Sequence, residues 1–280
     1  MKAKKKHTVT ALAAVFLAVF WGIGFAMAAG LPPGEAGAKS KLIDTPRHGE
    51  WVSVDAGGGD KVSVWVVYPE RKDRAPVVVV IHEIFGLTDW IRSVADQLAA
   101  EGFIAVAPDF LSGKGPGGKG SSSVDVDTAR SLIRDLDNGE IGRRLNAAAR
   151  YATSLPSAAE RFATVGFCWG GAVSFSYATQ QPELGAAVVY YGTSPSIETL
   201  GGIRAPVLGL YGGDDNRVNA TIPDAEKEMR RLGKRYKYEI YEGAGHGFLR
   251  AQDGREGANM RGTEKAWPRT VQFLKKTLEP

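Results

Sequence analysis

The sequence has few of the residues and motifs that form disulfides, metal sites or nucleotide sites. Cys168 is the only cysteine among 280 residues, which excludes an intrachain disulfide. The four histidines do not pair at the spacing of metal ligands, and no glycine-rich loop precedes the lysine and hydroxyl residues of a phosphate site. The sequence therefore predicts no metal site, no nucleotide site and no other cofactor.

The N-terminal segment has the order of a secretory signal. Four lysines lie within residues 2–6, an uncharged stretch runs from Thr8 to about Ala29, and Ala26–Ala28 offers the small residues of a signal-peptidase site. This order predicts a signal peptide over residues 1–28, although the apolar stretch is also long enough for an uncleaved membrane anchor. We therefore expect an exported protein, periplasmic or secreted, or one anchored to the membrane by this segment.

The remaining chain lacks an excess of either charge. The whole chain has 35 basic and 31 acidic residues, and the four lysines of the leader account for the difference. No basic surface for nucleic acid is expected, and membrane contact is expected only through the leader.

Residues 29–48 are rich in glycine, proline, alanine and lysine, which predicts a flexible lead-in. Residues 49–280 are long enough for one α/β domain.

Strand and helix patterns alternate along that domain. Trp51–Val54 and Val62–Tyr68 flank a glycine turn and predict an antiparallel hairpin, and the apolar run Val77–Ile81 predicts a strand buried on both faces. The other predicted strands are Ile104–Ala107, Arg161–Val165, Ala186–Tyr191, Val207–Tyr211 and Lys237–Tyr241, and the predicted helices are Thr88–Glu101, Val124–Asp137, Ile141–Leu155, Ile222–Leu232 and Trp267–Leu278. This alternation predicts a mostly parallel sheet with helices on both faces. The glycine-rich segment Phe110–Ser123 is expected as a surface loop or a lid.

The single cysteine lies in a segment typical of a catalytic nucleophile. Gly166–Gly171 has the sequence GFCWGG, follows a predicted strand and precedes a run of small residues that predicts a helix. A nucleophile on a sharp strand-to-helix turn has a strained backbone and needs small neighbours, and the N-terminus of the helix favours developing negative charge. The segment predicts Cys168 as a nucleophile rather than a buried structural thiol.

Acid and histidine candidates follow in the order that an α/β-hydrolase requires. His246 is the only histidine after Cys168 and follows a predicted strand, and both Asp214 and Asp215 follow another. In such a triad the histidine transfers protons, the aspartate orients it, and the thiolate forms a thioester that water hydrolyses. Backbone N–H groups, that of Trp169 among them, would hold the oxyanion.

Four motifs together resemble one known family. They are His-Glu-x-x-Gly at His82–Gly86, Gly-Phe-Cys-x-Gly-Gly at Gly166–Gly171, Gly-Gly-x-Asp at Gly212–Asp215 and Gly-His-x-Phe at Gly245–Phe248. In this order, from about Glu50 to the C-terminus, they resemble the dienelactone hydrolase (carboxymethylenebutenolidase) family of the α/β-hydrolase superfamily. The resemblance implies the α/β-hydrolase fold and hydrolysis of lactones or esters.

The resemblance also implies roles for individual residues. Cys168, Asp215 and His246 take the places of the triad, and the Gly-Gly-x-Asp pattern favours Asp215 over Asp214. Glu83 takes the place of a glutamate that holds and then deprotonates the resting thiol, and its alternative is a structural hydrogen-bond acceptor.

Two further positions concern the substrate. By the same resemblance, the Ile84 N–H is the second oxyanion donor, and Arg250 takes the place of an arginine that binds a substrate carboxylate. A second arginine of this kind is not identified, although Arg130 and Arg134 lie in a suitable region. His82 is expected to be structural.

The leading interpretation is a cysteine-dependent hydrolase that opens lactones or cleaves esters. A broad carboxylesterase or thioesterase would use the same residues. A redox sensor is disfavoured because no second cysteine could resolve an oxidised thiol, and a non-catalytic binding module is disfavoured because every catalytic position is chemically intact. The expected partner is a small ester or lactone, with or without a carboxylate, and the sequence does not specify the oligomeric state.

Overall fold

The computed structural model describes residues 30–279, so the predicted signal peptide and its cleavage site lie outside the described residues. The strands are β1 (Gly49–Gly57), β2 (Asp60–Val67), β3 (Ala75–Ile81), β4 (Ile104–Pro108), β5 (Ala158–Phe167), β6 (Ala186–Tyr190), β7 (Val207–Gly212) and β8 (Tyr236–Tyr241). The α-helices are α1 (Glu35–Ile43), α2 (Asp89–Ala100), α3 (Val126–Arg134), α4 (Asn138–Thr153), α5 (Trp169–Ala178), α6 (Asn216–Asn219), α7 (Ile222–Arg231) and α8 (Ala258–Leu278).

All eight strands form one sheet in the order β1-β2-β4-β3-β5-β6-β7-β8. The β1–β2 hairpin and the β2–β4 pair are antiparallel, and every other pair is parallel. Every residue of β3 is buried, as its continuous valine run predicts. Apolar side chains of α3, α4, α5 and α7 cover one face, and those of α1, α2 and α8 cover the other. The predicted parallel sheet with a leading hairpin is therefore confirmed.

The segment predicted as a flexible lead-in is helical over part of its length. Helix α1 packs on α2 and buries Ala38. The Trp90 indole N–H donates to the Pro33 carbonyl at 3.1 Å, and the Gln252 amide donates to the Pro32 carbonyl at 2.9 Å. The composition of the segment predicts flexibility, but hydrogen bonds from distant side chains to its backbone carbonyls hold it in place. Such tertiary contacts override local propensity.

Helix α8 also differs from its prediction, since it begins at Ala258 rather than near Trp267. Pro268 lies in its interior, a position that proline rarely takes because it removes a helical hydrogen bond. Among residues 30–279, no helix has both the length and the apolar character needed to span a bilayer.

The turn between β5 and α5 is closely packed against the end of β3. Cys168 lies in this turn with φ 56° and ψ −114°, outside the usual helical and strand regions. A Cβ on Gly166 would lie 1.9 Å from the Gly170 carbonyl oxygen, and one on Gly170 would lie 2.3 Å from the Ile81 carbonyl oxygen. We call residues Gly166–Gly171 the elbow. Its geometry requires glycine at both positions.

This packing predicts opposite effects of two glycine-to-alanine changes. Gly166→Ala forces the elbow apart and should lower the free energy of unfolding by about 3 kcal/mol. Gly142→Ala lies inside α4, where no heavy atom beyond the neighbouring residues and backbone of its own helix is within 4 Å of the new methyl group. This change should raise the free energy of unfolding by up to about 1 kcal/mol. Urea denaturation of both variants measures the difference, and equal stability of the two would contradict the tight elbow.

Candidate active site

Three side chains meet where the carboxyl ends of neighbouring parallel strands face the same edge of the sheet. Cys168 follows β5, Asp215 follows β7 and His246 follows β8. The His246 Nε2 atom lies 3.0 Å from Cys168 Sγ, and Nδ1 lies 2.5 Å from Asp215 Oδ2. The structure thus brings the three residues of the predicted triad into one hydrogen-bonded series.

The two neighbouring aspartates have different environments. Asp215 is 6 % exposed and contacts the imidazole, whereas Asp214 is about half exposed and pairs with Arg255 at 2.8 Å. Close approach of the two loops makes the Asp215 contact possible, because a Cβ on Gly212 would lie 2.5 Å from the Gly245 carbonyl oxygen. The Gly-Gly pair before the aspartates therefore lets the β7 loop lie against the histidine loop.

The environment of His246 favours its charged form. Burial disfavours an imidazolium, but the hydrogen bonds to Asp215 and Cys168 outweigh burial and raise the pKa of His246 to about 9. At neutral pH the ring therefore carries both protons, so that Nδ1–H donates to the aspartate and Nε2–H donates to the sulfur. This form can give a proton to a leaving group.

Two backbone N–H groups, in the turns after β3 and β5, lack acceptors among residues 30–279. Trp169 is the first residue of α5, where helical N–H groups have no partner within the helix. Within residues 30–279, neither its N–H nor that of Ile84, in the turn after β3, donates a hydrogen bond to another group. Both groups are available to an oxyanion.

His82 has a structural environment, as expected. It is fully buried, and its Nε2 accepts from the Phe110 N–H at 3.2 Å. Its Nδ1–H therefore donates to the Glu83 carbonyl at 2.7 Å. The ring also stacks on Trp169 with centroids 5.5 Å apart. Both nitrogens are used, so His82 fixes the loop that carries Glu83 and Ile84.

The Glu83 carboxylate contacts Arg250 rather than the thiol. Glu83 is 2 % exposed, and its Oε2 lies 2.8 Å from Arg250 Nε. The Nε–H does not point at that oxygen, so the contact is an ion pair without a hydrogen bond. Burial raises the pKa of Glu83 to about 7, although the positive charges of Arg250 and His246 act to lower it. The predicted resting contact between Glu83 and the sulfur is therefore not the one that the structure shows.

Arg250 holds a second carboxylate from the N-terminal segment. Its Nη1 forms an ion pair with Glu35 of α1, and its guanidinium lies 4.9 Å from the centroid of the Phe85 ring. Arg130 also contacts this ring, at 5.1 Å, whereas Arg134 is exposed. Arg250 thus lies near the predicted site, but it is already paired with two acidic side chains.

Tyr191 is a residue that the sequence argument missed. It follows β6 with φ 38°, is fully buried, and packs edge-on against His246 with centroids 5.2 Å apart. Burial and then the charges of Glu83 and Cys168 raise its pKa well above the usual value. Its hydroxyl has no hydrogen-bond partner among the described residues. No local pattern in the sequence identifies it, because only the folded packing places its ring against the imidazole.

A cavity of about 580 Å³ opens beside Arg250 and Phe85. Its wall includes Glu35 from α1 and Ser121 from the glycine-rich loop. In the part of the chain that the structure describes, no group of three or more His, Cys, Asp or Glu side chains could hold a metal ion.

Comparison with known proteins gives consistent matches. The model of the dienelactone hydrolase family matches residues 62–278. A protein of Salmonella typhimurium named "Putative carboxymethylenebutenolidase" is 31 % identical over 262 residues, which cover 87 % of this chain and 95 % of that protein. A protein of the same name from Saccharolobus solfataricus is 28 % identical over 251 residues, covering 78 % of this chain and 95 % of that one.

Solved structures agree with these matches. A crystal structure titled as a "Putative Dienelactone Hydrolase" from Klebsiella pneumoniae has a TM-score of 0.72 and 26 % identity, covering 83 % of this chain and all of that chain. A dienelactone hydrolase-like promiscuous phosphotriesterase from metagenomic libraries has a TM-score of 0.69 and 26 % identity, covering 82 % and 98 % of the two chains. The predicted α/β-hydrolase fold is confirmed, and the chain belongs to the dienelactone hydrolase family and is a hydrolase of that family.

Proposed function

We propose that this hydrolase opens lactones or cleaves esters through a thioester on Cys168. The hydrogen-bonded series of Cys168, His246 and Asp215 carries this proposal, because its 3.0 Å and 2.5 Å contacts have the geometry of a nucleophile, a proton carrier and an orienting acid. The positive φ of the cysteine supports it, since strain of this kind is concentrated at functional sites.

The first half-reaction forms the thioester. The thiolate attacks the carbonyl carbon, and the N–H groups of Ile84 and Trp169 donate to the oxyanion. The carbon–oxygen bond to the leaving group then breaks, and the His246 imidazolium gives its Nε2 proton to the departing alkoxide. The pKa of about 9 for His246 suits this role, because the ring is still protonated at neutral pH.

The second half-reaction releases the acid. His246, now neutral, takes a proton from water, and the resulting hydroxide attacks the thioester carbon. The carbon–sulfur bond breaks, the acid product leaves, and the imidazolium is restored beside the sulfur. Asp215 orients the imidazole and stabilises its charged form.

We propose Glu83 as the acceptor of the thiol proton. Its pKa of about 7 lets the carboxylate take a proton near neutral pH, and burial keeps water away from the transfer. The carboxylate must turn from Arg250 to do this, and Glu35 then remains as the counter-ion of the arginine. When the thioester breaks, Glu83 returns the proton to the sulfur. The alternative is a structural acceptor that pins the loop.

A broad carboxylesterase or thioesterase is the second candidate. Its supporting observation is the pairing of Arg250 with two carboxylates, which occupy two of the three guanidinium nitrogens that a substrate carboxylate would use. In either case we propose that the partner is a small molecule. We also propose that the protein is exported from the cytoplasm, because residues 1–28 have the pattern of a signal peptide.

The nucleophile has a direct test. Cys168→Ala should lower kcat for 4-nitrophenyl esters and for lactones by about 10⁴-fold or more, because no thioester can form. Ser176→Ala, on the same helix α5, should keep wild-type activity within about twofold and serves as the matched control. Thermal unfolding of both variants checks that they are folded. Ester hydrolysis that persists in folded Cys168→Ala would overturn the mechanism.

The role of Glu83 is testable through pH. In the wild type, the acylation rate should rise as the pH passes about 7, because only the carboxylate form of Glu83 accepts the thiol proton. Glu83→Gln should remove this rise and slow acylation by about 100-fold, with a smaller change in substrate binding. Stopped-flow measurement of the 4-nitrophenol burst separates the two effects. An unchanged burst rate and pH profile would assign Glu83 the structural role instead.

A further inference from the structure

We infer that Glu35 is a specificity-determining residue that closes Arg250 to carboxylate-bearing substrates, so that the site takes uncharged esters and lactones. This inference rests on the proposed hydrolase function and names the substrate class of the same site. The contact that carries it joins α1, which directly follows the predicted leader, to the loop that follows the triad histidine.

Among residues 30–279, Nη2 of the guanidinium has no acidic partner, whereas Nε and Nη1 each have one, so neither edge offers two free nitrogens. An arginine binds a carboxylate best through two parallel N–H donors. In this structure, Glu83 occupies the Nε side at 2.8 Å, Glu35 occupies Nη1, and Phe85 covers one face of the plane at 4.9 Å. Because Glu83 turns away from Arg250 in the proposed proton transfer, Glu35 is the carboxylate that stays on the arginine. A substrate carboxylate would have to displace Glu35 to bind through both Nη atoms.

The backbone holds Glu35 in this place. Its N–H donates to the Arg250 carbonyl at 2.9 Å, and the carbonyls of Pro32 and Pro33 accept from Gln252 and Trp90. An isolated surface ion pair contributes little, but a tethered carboxylate acts at an effective concentration on the order of millimolar or above. Glu35 therefore competes with any free carboxylate that reaches the arginine.

The charge of the cavity beside Arg250 also disfavours substrates that carry a carboxylate. Its charged wall residues are four carboxylates and two arginines: Glu35, Asp89, Asp109, Asp125, Arg92 and Arg250. An excess of negative charge in a concave site repels anions and lowers their local concentration. Substrates without a carboxylate avoid this repulsion.

The test compares two esters of nearly equal shape, 4-nitrophenyl pentanoate and the mono-4-nitrophenyl ester of glutarate, which carries a carboxylate. The wild type should prefer the neutral ester in kcat/KM. Glu35→Gln should raise the ratio of kcat/KM for the anionic ester to kcat/KM for the neutral ester by about tenfold. Glu35 is half exposed, with 58 % of its side chain accessible, so the variant should fold normally.

Two controls separate this effect from a general change in charge. Glu70→Gln removes one exposed carboxylate after β2, at the opposite edge of the sheet, and should leave the preference unchanged. Adding Arg250→Gln to Glu35→Gln should abolish the gain for the anionic ester, because the gain requires the freed guanidinium. An unchanged ester preference in Glu35→Gln, or a wild type that prefers the anionic ester, would overturn the inference.

A second readout does not depend on turnover. Cys168 is the only cysteine, so alkylation by neutral iodoacetamide and by anionic iodoacetate reports on the site alone, as the thiolate displaces iodide. Glu35→Gln should raise the iodoacetate rate relative to iodoacetamide by about fivefold. If this shift occurs while the wild type hydrolyses neither ester, the proposed hydrolase function fails and the charge selection stands. An unchanged alkylation ratio would overturn the charge selection.

Discussion

The geometry of the site depends on one close approach between strand β5, helix α5 and the end of strand β3. Gly166 and Gly170 leave no space for a side chain, and this contact holds Cys168 at φ 56°. The same contact places the first N–H of α5 beside the loop after β3 that carries Ile84. A single steric constraint therefore fixes the backbone that carries the sulfur, and the β7 and β8 loops place His246 against the sulfur and Asp215 against His246.

Charge distribution divides the site into two parts. On one side, Asp215 and the sulfur keep His246 protonated at neutral pH. On the other, Glu83 and Glu35 share Arg250, and burial brings the pKa of Glu83 into the neutral range. One part can supply protons and the other can accept them. Helix α1 takes part in this arrangement, because it provides Glu35, one of the two carboxylates.

The sequence predicts the parts of this structure that depend on local pattern. The valine run of β3, the GFCWGG elbow and the Gly-Gly pair before Asp215 each impose a specific backbone, so the sheet and the meeting of Cys168, Asp215 and His246 follow from them. Contacts made across long stretches of chain are not encoded in such patterns. The Glu35–Arg250 pair joins two segments far apart in sequence, and the composition around Glu35 favours a flexible segment. The buried hydroxyl of Tyr191 was missed for the same reason, since only the folded packing places it beside the imidazole.

The central claim is that the acyl group of the substrate passes through Cys168. Acid-quenching the wild type within milliseconds of mixing with excess 4-nitrophenyl pentanoate, followed by mass spectrometry of the peptides, measures this directly. We expect one pentanoyl group on the peptide that contains Cys168, lost on treatment with hydroxylamine as a thioester should be. Steady hydrolysis with the acyl group on another residue, or with no acyl group on Cys168 at any time, would contradict the account.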